Sequence, residues 1–519
     1  MNRYHYNLAT LFDDVLVAHA ERPALYYADK IYQYSDIGLL VDRVAQLLIN
    51  AGLLQGDVVA IGHNKRPLSY VLMLASLRLG IAYVNIDVAS PLARSLRILQ
   101  TSGAKLLFYD DVTFKNDMES LATTYGCALS LLDELQLPLV DADSRRIQET
   151  LSRRIDGACI AYIMFTSGST GIPKGVAVTH QNVLHFIAWG QECFAINNQD
   201  NFANLSPMYF DNSVFDFYVG LFSGAALTPV YRDVMAKPYE LIAYVTHMEC
   251  TIWFSVPSLL IYVMTMKALR GAMLVRVRAF VFGGEGYPKV ELKKLYDLYH
   301  NQSTLVNVYG PTECTCICSA HTISDADFVD MQGLPTLGYL NQNFDYRILD
   351  ENDRDAQVGE LCLIGPNVAS GYFNDIERTI ESFFSLTEPN RYQKRMYRTG
   401  DLVRQEDDGR LYFVGRKDNQ IKHMGYRIEL EEIEQALIKM QHINQAVVLY
   451  HRVNVSYGKL IAFVAVNDVA IDAKIILAEL SAYVPDYMIP NQLHILAHLP
   501  KNPNGKVDRH QLRALLDTE

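Results

Sequence analysis

Tryptophan occurs only 2 times in the 519 residues, and the 8 cysteines form no Cys-x-x-Cys pair. A disulfide framework and a paired-cluster zinc site are therefore excluded. Long apolar runs are also missing: the longest, such as 70–77 (YVLMLASL), fall far short of the roughly 20 residues that cross a bilayer. The first residues, MNRYHYNLATLFDDVL, have neither the basic start nor the apolar core of a secretory signal. A cytoplasmic protein without a membrane partner is expected. Positive charge is in deficit, with 46 Lys and Arg against 58 Asp and Glu and a formal net charge of −12. That balance argues against a nucleic-acid partner, whose affinity rests on clustered cations. It leaves room for an anionic nucleotide, because backbone N–H groups alone can cradle phosphate. Neither a Walker loop nor a Rossmann glycine fingerprint is present.

What is present is an ordinary folding composition, 50% hydrophobic and 20% charged, in a chain too long for one core. Up to about Arg416, β-rich runs such as CIAYIMF, RAFVFGG and LVNVYGP alternate with helical patterns such as 92–100. The expected fold class is α/β: a large N-terminal domain of stacked, mostly parallel sheets with helices. After Asp418 the pattern shrinks in scale. Strands are expected at 446–450, 460–466 and 493–495, with helices through 433–440, over 472–484 and from Arg509. This reads as a small α+β domain, giving a division at 1–417 and 418–519. The charged segment 415–420 (GRKDNQ) lies between them, either a solvated linker or a hinge. Cys314, Cys316 and Cys318 alternate, which would place all three on one strand face as small buried residues.

Residues 165–175 (FTSGSTGIPKG) follow an apolar strand and pack four hydroxyls, three glycines and a lysine into eleven positions. Glycines let backbone approach an anion closely, hydroxyls donate to phosphate oxygens, and Lys174 adds a point charge. Taken alone, the loop says only that phosphate is bound.

The string resembles the phosphate loop of the adenylate-forming superfamily of acyl-CoA synthetases, luciferases and peptide-synthetase adenylation domains. The other adenylation-domain motifs follow in order: LRLGIAYVNID (77–87), YFDNSVFD (209–216), NVYGPTE (307–313), GELCLIGPNVASGY (359–372), YRTGDL (397–402), GRKDNQIKHMGYRIELEEIE (415–434), PDYMIP (485–490) and NGKVDR (504–509). The resemblance spans nearly the whole chain. It implies ATP and Mg²⁺ as the reagents of a two-step reaction. An acid is first converted to its acyl-adenylate, and a thiol then takes the acyl group. For ATP it implies contacts from Thr166, Ser167, Gly168, Ser169, Thr170, Gly171, Lys174, Gly284, Glu285, Asn307, Tyr309, Gly310, Thr312, Asp401, Arg416 and Lys506. Tyr309 would pack on adenine, while Asp401 and Arg416 would hold the ribose. Glu313 would hold Mg²⁺, which suits a hard cation shared with phosphate oxygens. Lys506, with Thr166 and Lys174, would be catalytic, its charge placed where charge builds in the transition state. Asp418 would be the hinge of a rotating small domain, and Gly425 would face the thiol in the second pose.

In peptide-synthetase members the 209–216 motif carries an Asp that pairs with an α-ammonium, and ungapped alignment puts Asp211 there. A buried carboxylate without a partner is costly, so an acid without an amino group fits poorly. A one-residue slip would place Asn212 there instead, as in aryl-acid activators. The remaining pocket positions carry over to Phe210, Asn212, Phe215, Ser255, Val281, Gly283, Val308, Cys316 and Ile317. This lining is mostly apolar, with neither a second carboxylate nor a cation, which implies a small to medium neutral α-amino acid. Departures from the family pattern are Asp216 for Glu, Cys314 and Cys316 in the fifth motif, and Met424 and Tyr426 around Gly425.

Thirteen residues follow Lys506, and no Gly-Gly-x-Ser carrier site or His-His condensation motif is present. The thiol is therefore expected from a separate carrier protein, although excision from a longer synthetase would look identical. D-alanine:carrier ligases are a close variant of this reading. An acyl- or aryl-CoA ligase and a non-catalytic scaffold are the alternatives.

Overall fold

The computed structural model describes residues 4–168, 170–270, 273–387, 393–453, 458–466, 471–501 and 507–516. Runs such as Val58–Gly62, Ala82–Ile86 and Ala279–Gly283 are buried at every position, the burial expected of parallel strands covered on both faces. They belong to two sheets. A six-stranded sheet runs in the order Ala128–Leu131, Leu106–Tyr109, Val58–Gly62, Ala82–Ile86, Ile160–Thr166 and Lys174–Thr179. Only its last pair is antiparallel. A nine-stranded sheet has at its centre Thr304–Tyr309, Ala279–Gly283, Ile252–Ser255, Asn201–Asn204 and Ala226–Pro229, all parallel.

One hydrophobic core joins the two sheets. The helix Pro67–Leu79 runs through it, started by a proline at its first turn and stopped by Gly80 at φ +67°. Tyr83 of one sheet meets Tyr218 hydroxyl to hydroxyl at 2.8 Å. A third, antiparallel sheet of five strands contains Val358–Ile364, Gln393–Gln405 and Leu411–Arg416.

The smaller C-terminal unit has its own cores. Its hairpin Gln420–His423 and Tyr426–Glu429 precedes a three-stranded sheet of Ile443–Arg452, Gly458–Val466 and Gln492–Leu496. The fold is thus a large α/β domain of mostly parallel sheets with a small α+β domain. The expected helices appear as Leu92–Ser102, Leu430–Ile438, Ala473–Leu480 and Arg509–Leu516. The third is shorter than its pattern because Asp472 caps it and Ser481 ends it.

Two local expectations need correction. Cys314, Cys316 and Cys318 do not share a strand face: Thr312–Cys314 is a 3₁₀ turn, and Thr315 and Cys316 both have positive φ, +59° and +74°. The chain reverses there, so the period of two has no strand to act on, although all three thiols are buried. The 415–420 segment is not a solvated linker either. Gly415 and Arg416 end a strand, Gln420 begins the next, and only 417–419 bend between them. No helix among the described residues is long and apolar enough to cross a membrane.

Candidate active site

The loop 167–173 closes an antiparallel pair in which Thr166 lies directly opposite Lys174. Both ends of the loop are thus fixed by sheet hydrogen bonds, and at its start Thr166 and Ser167 line a cavity of about 830 Å³. The wall includes Thr166, Ser167, Asp211, Asn212, Ser255, Val308, Gly310, Thr312, Cys316, Ile317, Asp401, Arg416 and Gly425. Thr166, Ser255 and Val308 stand at or near the C-terminal ends of parallel strands, where sheets of this kind bind ligands. The hydroxyl oxygen of Thr166 is buried with no partner among the described residues. A buried hydroxyl left unsatisfied marks a place for an acceptor or donor from a ligand.

Three clusters of charge sit on this wall or just behind it. Asp401 and Arg416 face each other across antiparallel strands. Arg416 Nη1 donates to Asp401 Oδ1 at 2.8 Å, and the Tyr309 hydroxyl donates to the other carboxylate oxygen at 2.6 Å. Arg416 also pairs with Asp418, so the residue expected as hinge is tied back to the strand before it.

The second cluster centres on Glu313, which is 0% exposed. Its carboxylate accepts from Arg427 at 2.8 Å and from the Tyr372 hydroxyl at 2.9 Å, with Lys174 Nζ at 3.6 Å. Burial alone would raise its pKa, but Arg427 and Lys174 overcome that and hold it well below the usual carboxylate range. Burial lowers the pKa of Lys174, against the pull of Glu313.

The third cluster is Asp211, whose carboxylate accepts a short hydrogen bond from the Thr312 hydroxyl. Burial raises its pKa, while Thr312, Arg427 and Lys422 act in the opposite direction.

The small domain contributes directly to this site. Ser167 Oγ donates to the Arg427 carbonyl at 2.8 Å, and the Gly425 N–H donates to Glu285 Oε2 at 2.9 Å. Arg94 and Glu432 form a buried ion pair, and Phe210 packs edge-on against Tyr426. Gly425 has φ +80°, and a Cβ there would come within 2.5 Å of Val256. Gly425→Ala is therefore expected to open this contact. The left-handed backbone alone costs about 1–2 kcal/mol with a side chain, so the closed contact should become about tenfold less populated, read as faster hydrogen exchange at the Gly425 amide that donates to Glu285.

Several residues singled out in the sequence stand elsewhere. Phe215 lies behind the wall among Phe194, Phe202 and Phe254. Val281 is wholly buried, and the space beside Gly283 is filled by Val308, whose carbonyl a Cβ would approach to 2.4 Å. Gly283 thus permits strand packing rather than widening the cavity. Asn307 spends its amide on the Thr336 carbonyl. Gly284 lines the cavity, whereas Thr170 and Gly171 bond outward to Arg378 and Arg97. The Gly168 N–H points at Glu432, 3.4 Å away. Ser169 and Lys506 lie outside the described residues. Sequence reasoning assigned no role to Arg427, Lys422 or Tyr372. All three sit inside quoted motifs; Arg427 and Lys422 reach this site only across the domains, whereas Tyr372 meets Glu313 within the large one.

Fold and cavity together define an adenylate-forming ligase. A family model described as "AMP-binding enzyme" matches residues 12–373, and its C-terminal counterpart matches 432–506. The chain belongs to this family, within the adenylate-forming superfamily. It is related to peptide-synthetase adenylation domains and to D-alanine carrier ligases. It is 32% identical over 522 residues to the dimodular nonribosomal peptide synthase of Bacillus subtilis, covering 98% of this chain and 21% of that protein. It is 29% identical over 513 residues to the D-alanine–D-alanyl carrier protein ligase of Bacillus cereus, covering 97% and 98% of the two chains. Among solved structures, the Vibrio cholerae adenylation domain AlmE in complex with glycyl-adenosine-5'-phosphate has the same fold. Its TM-score is 0.82 at 24% identity, covering 100% of this chain and 99% of that one.

Proposed function

We propose that this chain activates a small to medium neutral α-amino acid as its aminoacyl-adenylate and passes the acyl group to the phosphopantetheine thiol of a separate carrier protein. The observation that carries the amino-acid part is Asp211, a half-buried carboxylate on the cavity wall that accepts a hydrogen bond from the Thr312 hydroxyl. An α-ammonium supplies the charge that burial of this carboxylate calls for. The names of the carrier ligase and peptide-synthase relatives support the same reading.

In this reading Tyr309, Asp401 and Arg416 take the adenosine, and the 165–175 loop takes the pyrophosphate end. Its orphaned Thr166 hydroxyl suits a phosphate oxygen. The Mg²⁺ fits Glu313 in chemistry. Among the described residues no group of three or more His, Cys, Asp or Glu could hold a metal. A single carboxylate sharing a hard cation with phosphate oxygens matches that donor set. Bound there, the ion neutralises phosphate charge. Arg427 pairs with the same carboxylate, so it must leave Glu313 for the ion to enter. Residues 1–417 act as the platform and 418–519 as the rotating part, with Asp418 as hinge. Lys506 stabilises the charge of the first step, and the observed pose, with Gly425 on the cavity, belongs to the second.

Amino-acid-dependent exchange of pyrophosphate into ATP, run over the standard amino acids, D-alanine, aryl acids and fatty acids, tests this. Exchange with aryl or fatty acids alone would replace it by the CoA-ligase reading, and silence throughout would favour a scaffold. Lys506→Ala is expected to cut exchange by about 10²–10³-fold. Thioester formation from supplied adenylate should stay largely intact. Equal loss of both steps would remove the role given to Lys506.

A further inference from the structure

Within the large domain, the helix Leu92–Ser102 is tied to the 165–175 loop. Arg97 Nη1 donates to the Gly171 carbonyl at 2.6 Å, and Arg94, one turn earlier on the same face, lines the cavity. The small domain's helix Leu430–Ile438 meets the loop from the other side. Its Gln435 packs so closely that a Cβ on Gly171 would stand 3.0 Å from the Gln435 Cβ.

Glu432, on the first turn of that second helix, reaches between helix and loop. One of its carboxylate oxygens accepts from Arg94, and the other faces the Gly168 N–H at 3.4 Å. Both side chains are buried, and Arg94 has no other ion pair among the described residues. Beside them the Ser167 hydroxyl is engaged by the Arg427 carbonyl, again from the small domain.

A carboxylate held between a guanidinium and a loop N–H marks an anion site that the chain fills for itself. Guanidinium groups take phosphate in the same forked geometry as carboxylate. On the reading above, on which this inference rests, the loop receives the pyrophosphate end of ATP. When the small domain withdraws, Arg94 keeps its place beside the loop through Arg97 and loses its counter-charge. An anion on the loop restores it.

We propose that Arg94 is a pyrophosphate-binding residue and that Glu432 takes the pyrophosphate's place in the observed pose. With the small domain withdrawn, Arg94 contacts the β- or γ-phosphate of ATP beside the Gly168 N–H. Once the adenylate has formed and pyrophosphate has left, Glu432 enters between the same two donors. The two occupants exclude each other, because one set of donors cannot serve both anions and their like charges repel at contact. Pyrophosphate therefore opposes closure of the small domain, and closure opposes pyrophosphate by the same factor.

The test is the affinity of magnesium pyrophosphate, measured by calorimetry without ATP or amino acid, in the wild type and three variants. Arg94→Met is expected to weaken binding about tenfold or more, the scale of one charge-assisted hydrogen bond lost. Arg94→Lys, which keeps the charge, should recover part of that loss. Glu432→Gln should tighten binding about fivefold or more, because the competing pose loses its ion pair. Damage to the fold would weaken binding in every variant, so the opposite signs separate these roles from a structural one. In the wild type, saturating pyrophosphate should also speed hydrogen exchange at the Gly425 amide.

Unchanged affinity in Arg94→Met, affinity in Glu432→Gln no tighter than wild type, or Gly425 exchange indifferent to pyrophosphate overturns the proposal. Where amino-acid-dependent exchange into ATP persists beside such a result, the adenylating reading still stands. A wild type that shows the expected variant effects but exchanges with no acid keeps this site and loses that reading. One that neither binds pyrophosphate nor exchanges it removes both.

Discussion

Asp211→Ala is expected to lower amino-acid-dependent pyrophosphate exchange by about 10²-fold or more. Truncating one partner of a buried, hydrogen-bonded charge pair costs about 2–5 kcal/mol, and each 1.4 kcal/mol or so is a factor of ten. ATP binding, followed by calorimetry without amino acid, should persist because Asp401, Arg416 and Tyr309 bond to one another and not to Asp211. Undiminished exchange would instead favour the register that puts Asn212 in this place.

The raised pKa of Asp211 adds a pH dependence whose sign is fixed. Burial is the main cause, and it favours the protonated form in the folded state. A carboxyl whose folded value lies above its unfolded value costs stability once both are ionised. The cost is absent below the unfolded value near about 3.9 and complete above the folded value. Asp211→Asn, which keeps the size of the side chain, should therefore raise the thermal midpoint at pH 7 while abolishing activation. The difference should shrink as pH falls toward about 4. Wild-type activation should fail on acidification at a pH above that of an ordinary carboxylate, since the ammonium needs the ionised form.

Glu313→Gln has the second large effect. The carboxylate is fully buried between Arg427 and Lys174, and removing it leaves two cations without their counter-charge. Breaking a buried pair by deleting one partner costs about 3–5 kcal/mol. Urea unfolding should show a loss of that order, and exchange should collapse with it. Arg427→Met in the same chain is expected to restore part of the stability, because one stranded cation is then gone. A double variant no more stable than Glu313→Gln would mean that Arg427 finds another partner when Glu313 is absent.

Much of the site was legible because its chemistry is local in the chain. The loop from Thr166 to Lys174 declares itself by hydroxyls, glycines and a cation within a few positions. The ordered motifs around Glu313 and Asp401 do the same for their own turns. The small domain was legible from periodicity, since Ile433, Ala436, Leu437 and Met440 all enter its core. Where the reading failed, the missing information was direction. Phe215 and Val281 occupy apolar positions that a sequence assigns equally well to a pocket wall or to the layer behind it. Cys314, Cys316 and Cys318 alternate as strand residues do, but two consecutive positive φ values turn the chain before a strand begins.

By itself the sequence determined the two-part α/β architecture and the place of the hydroxyl- and glycine-rich 165–175 segment after its strand, because hydrophobic period and turn chemistry act over short stretches. Only the tertiary structure decided which charges meet. Glu313 and Arg427 are 114 positions apart, and Thr312 and Asp211 are 101 apart. Coulomb energy falls with distance through space and takes no account of distance along the chain. For the same reason the pairing of Arg94 with Glu432 beside the 165–175 segment could be read only after the small domain had closed on the large one.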